Sequence, residues 1–305
     1  MNARASLGLL GGATLLASAL AAAADPVAAG ALEQSIEVHC SQPQPLQLHC
    51  DYRPLAGAEP NGVSANWNGT EVSGTLLARY PQAGDSTAVL LLVDTSDPAR
   101  HAAVARAIEH VNALIDAAPA HMHFGVASFD SEMYVLAPPG SSRTELHSAA
   151  ATLAARGKTT ELYRNVRDAV RVLAKTPASR RDLIVLSDGL AEDFAYHHED
   201  VIAAARGSGV IINSIGLPRS VPLAVALQTL RRLSDDTGGQ FVQTAQNDFA
   251  LPPQAVTHLL TALDAGGTLA IDLTALAQQG AHGAFDLALT FAAGTDHFSI
   301  TVPVV

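Results

Sequence analysis

Three aspartates each close an apolar run: Asp94 follows Ala88 to Val93, Asp130 follows Phe124 to Phe129, and Asp188 follows Leu183 to Leu186 and Ser187. Ser96, Asp97, Glu132, Glu192 and Asp193 come just beyond these points, and Thr160 stands at the head of a further segment. Carboxylate and hydroxyl oxygens are hard donors, so a rim built from them repels anions and attracts a cation such as Mg²⁺ or Ca²⁺. No glycine-rich loop follows the first run, so a nucleotide would lack the backbone cradle for its phosphates.

Enzymatic constellations fail on spacing. His198-Glu199 opens like a zinc-protease motif, but Ile202 stands where the second histidine is required. The acids there instead favour the N-terminus of a helix running to Ala205. No Gly-x-Ser-x-Gly turn presents a nucleophile. His121 and His123 point the same way from one strand start, a pair that twelve histidines in 305 residues produce by chance. The chain reads as a non-enzyme.

Cys40 and Cys50 end two strictly alternating segments, Ile36-Glu-Val38-His-Cys40 and Leu46-Gln-Leu48-His-Cys50. Alternation puts each cysteine on the apolar face and His39 and His49 on the opposite one. That geometry favours a Cys40–Cys50 disulfide over a His₂Cys₂ metal site, with a turn at Pro43–Pro45.

These residues must be positioned by two kinds of element. Between about 86 and 266, buried runs ending in acids alternate with helical periodicities. Val104, Ile108, Val111, Leu114 and Ile115 form one stripe; Leu162, Val166, Ala169, Val170 and Leu173 form another. This pattern is α/β, a doubly wound, mostly parallel sheet whose ligands sit outside the carboxyl ends of its strands. The flanks, 25–85 and 267–305, hold short alternating runs such as Phe285-x-Leu287-x-Leu289-x-Phe291. Neither flank can bury a sheet alone, so we expect them to combine as one accessory β-sandwich of six or seven strands.

Composition narrows the partners. With 29 acids against 18 bases the net charge is −11, which excludes the phosphate-neutralising surface of a nucleic-acid binder. Residues 1–24 carry a single charged side chain, Arg4, then a glycine-interrupted apolar run ending Ala22-Ala23-Ala24. This reads as a cleaved signal peptide, with export to the periplasm or beyond and no membrane span in the mature chain.

The central region resembles a von Willebrand factor type A domain. The likeness rests on Asp94-Thr-Ser96-Asp97-Pro98, Gly157-Lys-Thr-Thr160-Glu-Leu162, Leu186-Ser-Asp188-Gly189 and the ending Leu230 to Phe241. It implies a metal-ion-dependent adhesion site in which Asp94, Ser96, Thr160 and Asp188 hold a divalent cation, Mg²⁺, Mn²⁺ or Ca²⁺. The family's second serine is Pro98 here, which removes one ligand oxygen; Asp97 is the neighbour placed to replace it. Asp97-Pro98 also reads as a helix N-cap followed by proline. The resemblance implies a protein or peptide ligand at this edge, with no nucleotide. The alternative, favoured by Pro98, is a metal-independent structural scaffold of an envelope or pilus assembly.

Overall fold

The structure is a computed structural model that describes residues 36–54, 60–72, 75–219, 224–281, 285–294 and 296–304; the expected signal peptide lies outside them. Alternation of apolar and polar residues produces the first hairpin, β1 (Ile36–Gln44) and β2 (Gln47–Pro54). Ile36, Val38, Cys40, Leu48, Cys50 and Tyr52 are all buried. Cys40 faces Cys50 in the register, and the two form a disulfide. The register shifts between Ser41 and Gln44, so the proline segment prolongs β1. The turn therefore falls at Pro45-Leu46, later than the expected Pro43–Pro45, with Leu46 at φ 64°. Three short strands follow: β3 (Gly62–Trp67), β4 (Thr70–Glu71) and β5 (Leu76–Arg79).

The central chain then runs β6 (Thr87–Asp94), α1 (His101–Ala117), β7 (Met122–Phe129), β8 (Met133–Ala137), α2 (Arg143–Ala151) and α3 (Leu162–Ala174). It continues with β9 (Arg180–Ser187), α4 (His198–Ser208), β10 (Val210–Gly216), α5 (Ala224–Asp235), β11 (Phe241–Gln243) and α6 (Ala255–Asp264). The sheet order is β11-β10-β9-β6-β7-β8, parallel except for the β7–β8 pair. β6 explains why its sequence shows no alternation. Val89, Leu91 and Val93 pack with α1, α2 and α6, whereas Ala88, Leu90 and Leu92 pack with α3, α4 and α5. Burial on both faces stabilises by about 2 kcal/mol per large apolar side chain.

Two elements of the central region went unforeseen. β8 is a short antiparallel edge strand with Tyr134, Val135 and Leu136 exposed, so no alternation announces it. α2 did carry a readable signal, the Ser142-x-x-Glu145 capping box, in which each residue bonds the other's backbone N–H.

The chain closes with β12 (Gly267–Asp272), α7 (Thr274–Gln278), β13 (Phe285–Ala293) and β14 (Asp296–Val304). β12 enters the sheet β1-β2-β12-β5, and β13 and β14 enter β14-β13-β3-β4. Leu269 and Ile271 of the first sheet share one core with Leu287, Leu289, Phe291 and Val302 of the second. The accessory sandwich is thus built from both flanks, with eight strands among the described residues where the alternating runs predicted six or seven.

Polar side chains fix the sandwich to the amino-terminal ends of the parallel strands. Arg180, at the start of β9 and 2% exposed, donates to Asp51 Oδ1 (2.9 Å) and to the carbonyls of Tyr52 (3.3 Å), Leu263 (3.1 Å) and Ala265 (2.8 Å). Its guanidinium lies 3.7 Å from the Tyr80 ring centre. Arg53 donates to Asp182 Oδ1 at 2.7 Å. Among the described residues, these hydrogen bonds between the sandwich and the central sheet all lie at the amino-terminal strand ends.

Candidate functional site

At the carboxyl ends of the parallel strands the chain leaves β6 through an Asx-type turn: Ser96 N donates to Asp94 Oδ1 at 3.0 Å. Thr95 is tied across to β7 by its N–H and hydroxyl, both donating to Phe129 O. The segment before α3 folds over this turn, with Arg156 N and Gly157 N both donating to Thr95 O at 3.0 Å. Gly157 permits the approach, because a Cβ there would stand 2.4 Å from Asp130 Cβ and 2.9 Å from Ser96 Cα. Buried Asn165 clamps the two loops by donating to Asp130 O (3.0 Å) and Glu161 O (2.6 Å).

These constraints bring Asp94, Ser96, Thr160 and Asp188 to one edge. The Ser96 and Thr160 hydroxyls lie 2.6 Å apart. Asp94 Oδ2 accepts from Ser187 Oγ at 2.6 Å, and Asp188 Oδ1 accepts from Leu190 N at 2.8 Å. Thr160 does not cap the following helix. Asp193 does, accepting from Tyr163 N and Arg164 N, while Glu192 Oε2 accepts from Thr160 N at 2.7 Å. Burial raises the Asp193 pKa against those backbone bonds. Asp97 is the N-cap of a single 3₁₀ turn, Pro98–Arg100, accepting from Ala99 N at 2.9 Å. The pair His198-Glu199 opens α4; His198 contacts Asp236 Oδ2 at 2.6 Å, and His121 contacts Asp264 Oδ1 at 2.8 Å.

Two residues that the motif reading missed dominate the electrostatics. Arg100 Nη1 donates to Asp188 Oδ2, and Arg219 Nε donates to the same oxygen at 2.5 Å. Arg100 Nη2 also donates to Leu217 O (2.7 Å), and Arg219 Nη1 to Asp97 Oδ2 (3.0 Å). Burial is the main cause that lowers the Arg100 pKa, to about 10; Asp94 opposes the shift and Arg219 adds to it. Arg100 was legible only as the basic residue two places after Pro98; Arg219 lies far along the chain, just past β10.

The donor set fits a divalent cation poorly. Asp188 already spends one oxygen on two guanidiniums, and Pro98 supplies no oxygen. The space of about 10 Å³ between Asp94, Asp97, Arg100, Asp188 and Leu217, room for roughly one water, is not lined by Ser96 or Thr160. A doubly charged ion ~5 Å from a guanidinium would meet roughly 7 kcal/mol of repulsion at an effective dielectric of ~20, which offsets about as much attraction from one of the site's carboxylates. Among the described residues no group of three or more His, Cys, Asp and Glu side chains is arranged to hold a metal.

Comparison with known proteins agrees with the fold. Residues 89–190 match the family model of the von Willebrand factor type A domain. No curated protein matches the chain. Among solved structures, the chain is similar to the conserved hypothetical protein BatB from Bacteroides thetaiotaomicron, at 15% identity over 58% of this chain and 96% of that one, TM-score 0.47. A von Willebrand factor type A protein from Catenulispora acidiphila is similar at 12% identity over 84% and 69%, TM-score 0.49. So is the vWF domain of the type V pili tip protein Mfa5 from Porphyromonas gingivalis, at 13% over 65% and 97%, TM-score 0.44. Residues 89–190 thus match the von Willebrand factor type A domain model, and the parallel sheet with helices on both faces in that central region is of the same kind.

Proposed function

We propose that the protein is an exported, non-enzymatic interaction module that binds a protein or peptide ligand at the carboxyl edge of its parallel sheet. In this reading residues 1–24 are a removed leader, 86–266 form the binding domain, and 25–85 with 267–305 form its support. The observation that carries it is the polarity of the molecule: the sandwich grips the amino-terminal strand ends through Arg53 and Arg180, while Asp94, Ser96, Thr160 and Asp188 gather at the opposite end, the last three buried beneath the partly exposed Arg100 and Arg219. The Cys40–Cys50 disulfide supports export, because such bonds persist in oxidising compartments. Among the described residues no helix is long and apolar enough to cross a membrane.

Phe194 adds an apolar contact. It is 97% exposed in the loop whose Glu192 and Asp193 hold Thr160 and the start of α3. An exposed aromatic in a loop whose carboxylates are held by backbone N–H groups is the composition of an interface anchor with a polar surround. The test is affinity capture from a cell-envelope extract with the wild-type chain and with Phe194→Ser, each in EDTA and in Mg²⁺. The reading expects one partner that Phe194→Ser loses at least about tenfold, the scale of a modest hot spot. Equal capture by both chains sinks it. Pro98 and the arginine pair favour metal-independent binding over binding through Mg²⁺, Mn²⁺ or Ca²⁺. They also favour the scaffold alternative, in which the chain stays in its assembly whatever is changed at this edge.

A further inference from the structure

We infer that Arg100 and Arg219 occupy, as a guanidinium pair, the role that a divalent cation plays at such an edge, so that this chain's site is closed to metal. The inference rests on the reading of this edge as the functional one. Asp188, whose side chain is 1% exposed, needs a positive partner there. Both arginines supply it through the same oxygen, and each is held from a second direction. Leu217 O anchors Arg100, and Asp97 anchors Arg219.

Pro98 links the loss of a ligand to the arrival of the charge. It removes a hydroxyl, and it opens the 3₁₀ turn closed by Arg100 N donating to Asp97 O at 2.9 Å. That turn delivers the Arg100 side chain to Asp188. Asp97 completes the arrangement by capping the turn with one oxygen and pairing Arg219 with the other. A ligand at this edge would then meet N–H donors from fixed guanidiniums instead of an open coordination position.

The experiment is an electron paramagnetic resonance titration with Mn²⁺ on the full chain, which reads free and bound ion directly. The wild type and Pro98→Ser are expected to leave the ion free at millimolar concentration. The triple variant Pro98→Ser, Arg100→Ala, Arg219→Ala is expected to bind one Mn²⁺ about a hundredfold more tightly or better, since both repelling charges are gone. Stoichiometric binding by the wild type, or by Pro98→Ser alone, overturns the inference. So does a triple variant that is folded by circular dichroism and gains no affinity. If the triple variant does not fold, the first two titrations still decide. Failure of partner capture would overturn the interaction reading and leave these titrations untouched.

Discussion

The two ends of the central sheet use the same pair of residue types to opposite purpose. At the amino-terminal end Arg53 and Arg180 meet Asp182 and Asp51 beneath the β-sandwich, with the Arg180 side chain fully inaccessible. At the carboxyl end Arg100 and Arg219 meet Asp188 and Asp97, with side chains 15% and 23% exposed. Burial works against charge on every arginine with a shift. Asp182 and Asp51 more than offset it for Arg53, whereas Arg180 and Arg100 end below their ordinary value. Where a second domain covers the pair, it is a joint. At the carboxyl end the same pairing keeps its guanidiniums partly exposed above a buried Asp188.

Breaking the joint should cost most. Arg180→Ala removes four hydrogen-bonding contacts and a stacked guanidinium, leaves Asp51 and three carbonyls to find new partners, and should destabilise by about 3–5 kcal/mol in urea unfolding. Next comes the staple of the sandwich. Reduction of Cys40–Cys50, whose sequence separation is 10, should cost about 2–3 kcal/mol through the longer reach of the unfolded chain, and the loss should appear as a lower midpoint. At the open end the effect should be smaller. Asp97→Ala loses an N-cap and a partly exposed ion pair together, about 1 kcal/mol, and a cost as large as that of Arg180→Ala would erase the difference between the ends.

The smallest effect is one of pH. Burial lowers the pKa of His110, which lies on α1 with its Nε2 2.8 Å from Phe249 O, and the carbonyl only partly offsets this. The folded chain therefore favours the neutral ring. As pH falls below about 6.5 the unfolded chain takes up the proton first, so the stability owed to neutral His110 is full above that value and declines below it. His110→Gln should flatten that part of the stability–pH curve, and an unchanged slope would assign the dependence to other groups.

How much could be read in advance follows from the range of the signals. β6, β7, β9 and β10 announced themselves because burial on two faces leaves continuous apolar runs, and the β1–β2 hairpin because one-sided burial imposes alternation. The motif residues Asp94, Ser96, Thr160 and Asp188 were legible because each sits at a strand end or loop of a recognisable series. β8 escaped because an exposed edge has no pattern to show. The arginines escaped for a different reason: Arg219 is 31 positions from Asp188 and 122 from Asp97, and only the folded sheet brings them together. A charge partner chosen by topology leaves no local mark in the sequence.

The central claim, that the open edge is closed by its own arginines and needs no ion, is tested most directly by thermal unfolding of the wild-type chain in EDTA and in about 10 mM Mg²⁺. The two transitions should coincide within about a degree. An ion bound a hundredfold below that concentration would add about 2.7 kcal/mol and raise the midpoint by several degrees, and a rise of that size would contradict it.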